Sequence, residues 1–230
     1  MKVIAPPQTL QALQILLDKI EGRTLQELAG TFNLSLPKNQ LNAKGWVGQL
    51  IERHLGADAY NQACPDFTHL GIELKTLPLN DKLEPKESTF LCSAPNHLSA
   101  LLETWESSHL YQKLKQIVWV PIEGNHPVFY KRHIGKPFFW TMQGEEEQIL
   151  RQDWLDLTDL LYLGKIEELT AHQGVYLQVR PKAAHGKILQ ARYNSSDEMC
   201  LQGPKGFYLR ASFTKQLLNK SAPYYIGSKL

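Results

Sequence analysis

Cys64-Pro-Asp-Phe-Thr-His-Leu-Gly-Ile-Glu-Leu-Lys-Thr76 is the stretch on which the reading of this chain turns. Inside it Ile72, Leu74 and Thr76 alternate with Glu73, Lys75 and Leu77, the two-residue period of a β-strand. Glu73 and Lys75 therefore share a face, about 6–7 Å apart at about 3.3 Å of rise per residue. Asp66 arrives from the preceding segment, after Pro65 has biased the backbone toward an extended turn. Two carboxylates and an ammonium gathered in this way offer hard oxygen donors at low count. Such a set suits Mg²⁺ better than Zn²⁺. A metal so held lowers the pKa of bound water and neutralises charge on a phosphate. Taken by itself the pattern is weak, because an acid two residues before a lysine most often marks a solvated strand face. Glu84-Pro-Lys86 repeats the spacing, but its central proline would interrupt a buried strand, which assigns it to a loop.

The rest of the chain bounds what could carry such a site. Its 230 residues, 43% hydrophobic and 21% charged, describe one sizeable globular domain or two closely packed lobes. No run of about 18 apolar residues is present, and Met-Lys-Val-Ile-Ala-Pro-Pro lacks the apolar centre of a signal peptide. A cytoplasmic protein without membrane contact is expected. Cys64, Cys92 and Cys200 contain no Cys-x-x-Cys and read as reduced packing residues. The eight histidines include no His-x-x-x-His or His-Glu-x-x-His pair, which argues against a zinc hydrolase. Phosphate-binding P-loops, dinucleotide turns and the Gly-x-Ser-x-Gly elbow are absent as well. Charge is unevenly spread: from Val175 to Leu230 nine Lys/Arg face only Asp197 and Glu198, a net +7 that leaves −5 for the remainder of a chain whose total is +2. A basic C-terminal third is the electrostatic footprint of a surface that tracks phosphates.

Periodicity predicts helices over 8–21 and 25–33, the second opened by a Thr24-Leu-Gln-Glu27 capping box. A third helix follows Lys44-Gly-Trp, with Val47, Leu50, Ile51 and Leu55 as its apolar stripe, Gly56 at its end and Glu52 off the stripe. Strands are expected over 71–77, 88–93 and 117–122. Between the last two lies a helix capped by Ser107 or Ser108 that carries Lys113 and Lys115. Residues 145–163 read as an amphipathic helix whose Asp153, Asp156 and Asp159 form a solvated face. Strands near 175–180 and 206–210 precede a short helix capped by Ser212. Trp46 and Trp119 read as packing residues. Tyr208 reads either as a packed strand aromatic or as a group that meets a ligand.

Five blocks in order carry a resemblance: Lys44-Gly-Trp-Val-Gly-Gln-Leu-Ile-Glu52, Pro65-Asp66 with Gly71-Ile-Glu-Leu-Lys75-Thr, Thr104-Trp-Glu-Ser-Ser-His-Leu, Arg180-Pro-Lys-Ala-Ala and Gly206-Phe-Tyr-Leu. Together they resemble the MutH family of DNA mismatch-repair endonucleases, within the wider PD-(D/E)xK nuclease group, and they span nearly the whole chain. The resemblance implies a mixed α/β, restriction-endonuclease-like fold in two lobes with a DNA-binding cleft. Approximate sub-lobes are 1–106, with most of the catalytic site, and 107–230, which reads DNA. It implies a monomeric nickase that cuts the unmethylated strand 5′ of the G in hemimethylated GATC, uses Mg²⁺ with Mn²⁺ able to substitute, and is stimulated by MutL. By the same resemblance Asp66, Glu73 and the main-chain carbonyl of Leu74 would bind metal, and Lys75 would orient and help deprotonate the attacking water. Glu52 and Lys113 would be neighbours that hold water or contact phosphate. Lys44 would approach the DNA backbone, and Arg180, Lys182 and Tyr208 would read GATC and sense adenine methylation. That assignment agrees with base chemistry, since Arg and Lys can donate to guanine O6 and N7 in the major groove. Loop 95–103 and the segment after Ala184 depart from the family pattern. The rivals are a type II restriction endonuclease of related GATC-like specificity, which would cut both strands unaided, and a non-catalytic binding module, against which the intact Asp66, Glu73 and Lys75 speak.

Overall fold

Leu13, Leu17 and Ile20 recur at helical spacing and bury one stripe of the first helix, α1 (Leu10–Ile20), which Thr9 caps by accepting from the Ala12 N–H. The computed structural model describes residues 4–37, 43–59, 62–95, 97–165, 173–182, 190–193 and 199–221. Helix α2 (Leu25–Thr31) opens on the expected capping box: Thr24 Oγ1 accepts from the Glu27 N–H at 3.2 Å, and the Glu27 carboxylate accepts from the Thr24 N–H at 2.7 Å. The Thr24 N–H, then the Thr24 hydroxyl, hold the Glu27 carboxyl below the ordinary glutamate range. A depressed carboxyl stabilises above its unfolded pKa, and that contribution is lost as pH falls through the folded one. Thr24→Ala removes the cap and should lower stability by about 1 kcal/mol. Thermal unfolding at neutral pH checks this, and an unchanged Tm would contradict it.

Helix α3 (Ala43–Leu55) starts at Ala43 rather than after Trp46, so Lys44 lies in its first turn. Leu50, Ile51 and Leu55 are fully buried, and Gly56 ends the helix at φ +70°. A Cβ there would fall 2.6 Å from the Ala5 carbonyl oxygen, so glycine is required both by the backbone angle and by the N-terminal segment laid across it.

The chain divides into two compact units, each assembled from separate stretches of sequence. The first comprises Met1–Glu87, Lys115–Thr141 and Lys215–Leu230; the second comprises Ser88–Leu114 and Met142–Thr214. The single boundary at 106/107 in the sequence reading thus faces a chain that passes from one unit to the other several times. In the first unit, β1 (Glu73–Leu79) pairs parallel with β3 (Gln116–Glu123), and β3 pairs antiparallel with β4 (Phe138–Thr141). Parallel neighbours need a long crossover, and here residues 80–115 supply it. The order β1-β3-β4 leaves β1 at the edge. One face of this sheet, through Leu74, Val118, Val120 and Ile122, joins α1, α2 and α3 in a single core with Phe67, Ile72, Phe129 and Ile134. Each such side chain removed from water is worth about 1.5–3 kcal/mol.

The second unit holds β2 (Thr89–Ser93), the short α4 (Leu98–Leu101), α5 (His109–Leu114), α6 (Gly144–Tyr162) and β5 (Leu177–Pro181). It also holds a hairpin of β6 (Gln190–Tyr193) and β7 (Met199–Gln202), and then β8 (Lys205–Leu209). Strand β8 is the centre of an antiparallel sheet ordered β2-β8-β5. Trp105 packs on Trp154 at 5.5 Å, and Tyr176 stacks on Phe213 at 4.1 Å. Ser108 caps α5, its hydroxyl accepting from the Tyr111 N–H at 3.1 Å.

Two local expectations fail. Ser212 lies inside α7 (Ala211–Ser221), not at its cap, because the Arg210 carbonyl already accepts from the Phe213 and Thr214 N–H groups. Asp153 is buried, whereas Asp156 and Asp159 are exposed. Three-residue spacing leaves about 60° between successive acids at 3.6 residues per turn, so the three span about 120° of the helix and Asp153, at one end of that arc, turns inward. Cys64 is a half-buried thiol and Cys92 a buried one, and the side chain of Cys200 lies outside the described part. Among the described residues no helix is long and apolar enough to cross a membrane.

Candidate active site

A tight turn brings the trio together. The Phe67 N–H donates to the Ile72 carbonyl at 2.9 Å, the Gly71 N–H donates to the Phe67 carbonyl at 2.9 Å, and Gly71 takes φ +67°. Phe67 and Ile72 form an antiparallel bridge and bury both side chains in the core, so apolar packing holds the turn from beneath. Continuing that register by one pair sets Asp66 across from Glu73. Asp58 braces the same turn: its carboxylate accepts from the Thr68 N–H at 2.9 Å and from the Thr68 hydroxyl at 2.8 Å. The Asp58 and Ala59 N–H groups donate in turn to the Asp66 carbonyl, at 3.0 and 3.2 Å.

Asp66 reaches over the edge of β1, where Oδ2 accepts from the Leu74 N–H at 2.8 Å. In an extended strand the N–H and C=O of one residue point to the same side. The Leu74 carbonyl therefore faces the edge that Asp66 occupies, while the Leu74 side chain goes to the core on the opposite face from Glu73 and Lys75. Glu73 is 2% exposed, and its Oε1 accepts from Lys75 Nζ at 2.7 Å. The register places Ile117 and Trp119 beside Glu73 and Lys75 on that face, both fully buried, so the ion pair is walled by apolar side chains on one flank. Burying a charge pair without such mutual hydrogen bonding costs several kcal/mol.

Glu52 also arrives at this site. A cavity of about 360 Å³ is lined by Glu52 and Asp66 together with Ile4, Pro6, Gln49 and Arg53. Gln49, Glu52, Arg53 and Gly56 follow helical spacing along one side of α3, a polar stripe that the sequence displays once the apolar stripe is subtracted. Gln49 and Arg53 escape a sequence reading because attention to charge beside the apolar stripe selects Glu52. Arg53 also lies over the Phe32 ring at 5.3 Å.

The donor set fits a hard divalent cation. Two carboxylates and a main-chain carbonyl are all oxygen, and Mg²⁺ commonly takes one or two protein carboxylates and keeps several waters. Among the described residues no group of three or more His, Cys, Asp or Glu side chains is close enough to hold a metal ion. Glu84 and Lys86 are structural: Glu84 pairs with Lys215, which holds its carboxyl below the ordinary range, and Lys86 donates to the Gly124 and Asn125 oxygens.

The remaining predicted residues lie elsewhere. Lys44 sits at the start of α3, and its side chain is outside the described part. Lys113 is on α5 in the second unit and is 8% exposed. In the β2-β8-β5 sheet, Gln178 and Arg180 oppose Tyr208 and Gly206, so Arg180, Lys182 and Tyr208 share one face. The Arg180 guanidinium lies 5.8 Å from the Tyr208 ring centroid, Tyr208 meets Phe90 edge-on at 5.3 Å, and Lys182 lies over Phe90 at 5.3 Å while donating to Ser93 Oγ at 2.7 Å. Tyr208 is half-buried, between the Phe90 ring and the Arg180 guanidinium. Phe90 and Ser93 are additions that sequence reading did not supply, since only strand pairing places them there.

A family model described as DNA mismatch repair enzyme MutH matches residues 55–153, which include Asp66, Glu73, Lys75 and Lys113. A DNA mismatch repair protein MutH from Escherichia coli O127:H6 is 43% identical over 217 residues, 94% of this chain and 94% of that protein. Another from Shewanella sp. strain W3-18-1 is 41% identical over 223 residues, 96% of this chain and 99% of its own. Likeness at this level along almost the entire length of both chains is family membership: the chain belongs to the MutH family of DNA mismatch repair enzymes.

Proposed function

We propose that this protein is a Mg²⁺-dependent endodeoxyribonuclease that nicks the unmethylated strand 5′ of the G in hemimethylated GATC and is activated by MutL, in the cytoplasm and as a monomer. The observation that carries the reading is the Asp66 carboxylate held on the Leu74 N–H, which draws it to the strand edge beside the buried Glu73–Lys75 pair. Asp66, Glu73 and the Leu74 carbonyl would hold the cation. When bound, Mg²⁺ supplies Lewis-acid polarisation of the phosphate and acidifies a coordinated water.

The chain's own groups do the rest. Lys75, tethered by Glu73, presents its ammonium to the attacking water and orients it, and its positive charge would help deprotonation by favouring the hydroxide, the proton passing to solvent. Glu52, in the same cavity as Asp66, holds water or a phosphate contact on the other side. In-line attack then leaves a 5′-phosphate and a 3′-hydroxyl. Lys113 and Lys44 act as further phosphate contacts. Arg180 and Lys182 read guanine edges, and Tyr208 senses the methyl group on adenine.

The test is strand-resolved nicking of a hemimethylated GATC duplex with Mg²⁺, with Mn²⁺ or with chelator, each with and without MutL and ATP. Cutting of the unmethylated strand, raised by MutL and lost on chelation, is expected. Double-strand cleavage of unmodified DNA without MutL would favour a restriction enzyme instead, and no cleavage under any condition would favour a binding module. Arg180→Ala and Tyr208→Phe should weaken discrimination among unmethylated, hemimethylated and fully methylated GATC, by about tenfold for the loss of one base contact. Unchanged discrimination in both variants would remove them from base reading.

A further inference from the structure

Among the described residues, Asp153 is the buried acid that the proposed chemistry leaves unused. It is 4% exposed, and its oxygens accept from three consecutive main-chain N–H groups: Val175 at 2.8 Å, Tyr176 at 2.7 Å and Leu177 at 2.8 Å. Arg210 closes the other side of this turn. Its guanidinium donates to the Gln173 carbonyl at 2.6 Å and the Gly174 carbonyl at 3.0 Å, and its main-chain N–H donates to the Tyr176 carbonyl at 2.8 Å. Gly174 takes φ +78°, and a Cβ there would overlap the Leu177 carbonyl oxygen and lie 3.3 Å from Asp153 Cγ. The turn is wound directly around the carboxylate.

Strand β5 begins at Leu177, the last of the three donors. Its far half, Arg180 and Pro181 with Lys182 beyond, is exposed, and its side chains are held by the contacts of Arg180 with Tyr208 and of Lys182 with Phe90 and Ser93. The buried apolar part of β5, Leu177 and Val179, lies at its start, next to the carboxylate that holds the Leu177 N–H. A slip of one residue would carry Arg180 and Lys182 to the face where Leu177 and Val179 are buried, and away from Tyr208. It would also leave the Val175, Tyr176 and Leu177 N–H groups without their acceptor, the last of them in a buried residue.

We propose that Asp153 is a positioning residue for base discrimination, its carboxylate setting the register of β5 and so the place of Arg180 beside Tyr208. This rests on the reading of Arg180 and Tyr208 as base-contacting residues. Arg210 and Gly174 complete the clamp.

The experiment compares nicking rates of the full-length protein on GATC and on duplexes with one base pair of that site changed, well below the lowest Tm of the variants. The ratio of the two rates cancels the fraction of folded enzyme. Asp153→Asn keeps the shape but points an amide N–H₂ at donors, and should lower the ratio about tenfold, with faster amide exchange confined to Val175–Leu177. Arg210→Lys, which loses the two-pronged donation, should move the ratio the same way and serves if Asp153→Asn does not fold. Leu157→Ala, a buried truncation on the same helix, controls for destabilisation and should leave the ratio at the wild-type value. A ratio unchanged in both Asp153→Asn and Arg210→Lys, or lowered as much in Leu157→Ala, overturns the proposal while the proposed function stands. A wild type that does not prefer GATC overturns the functional reading, and this inference with it.

Discussion

Glu73→Ala should cut nicking by a thousandfold or more, roughly 4 kcal/mol of lost transition-state stabilisation at about 1.36 kcal/mol per decade, while DNA affinity without metal changes little. The carboxylate at 73 would serve two purposes at once: it would be a cation ligand, and it tethers Lys75 at 2.7 Å. Its loss removes one donor from a set of three and releases the ammonium that orients water. Asp66→Ala should fall as far for a related reason, since Asp66 would be the other carboxylate ligand and also occupies the Leu74 N–H. Glu73→Gln separates the two purposes. It keeps an oxygen that can accept from Lys75 but lacks the charge, so a loss as deep as that of Glu73→Ala assigns the effect to charge at the cation. Single-turnover nicking with Mg²⁺, alongside DNA binding in chelator, measures both quantities. Mg²⁺-dependent nicking retained in Glu73→Ala or Asp66→Ala at near wild-type rate would remove the site from catalysis.

Asp153→Ala carries the largest expected loss of stability, about 2–4 kcal/mol, because a buried donor left unsatisfied costs about 1–3 kcal/mol, and of the three donors orphaned together Leu177 is buried and Tyr176 half-buried, while Val175 is exposed. The sum falls below three times the upper figure because water can enter the space left by the side chain. Denaturant unfolding should show a lower midpoint, with early loss of signal from the second unit, where Trp105 and Trp154 report. A midpoint within experimental error of wild type would mean that other acceptors already satisfy Val175, Tyr176 and Leu177. Asp156→Ala, exposed on the same helix, should be close to neutral, and the contrast tests burial against composition.

That contrast also shows where sequence reading stops. The alternation of residues 71–77 correctly placed Glu73 and Lys75 on one face because strand parity is a property of neighbouring backbone units. The helix stripe Leu50, Ile51, Leu55 with Glu52 off it was legible for the same reason, as was the Thr24–Glu27 capping box. Asp153, Asp156 and Asp159 looked alike because nothing local says which one faces the second unit's core. Membership of the MutH family, and with it the mixed α/β restriction-endonuclease-like architecture, was visible in five short blocks distributed along the chain.

What the chain by itself determined was which groups lie together over a few residues: the paired Glu73 and Lys75, the turn before them, the caps and the stripes. Covalent geometry sets those relations. Only tertiary structure decided that Asp66 commits its carboxylate to the Leu74 N–H, that Glu52 shares its cavity, that Phe90 backs Tyr208, and that Asp153 turns inward to three N–H groups. Those outcomes depend on strand register and on which polar groups the core leaves in need of a partner, and both are settled by packing between segments far apart in the chain.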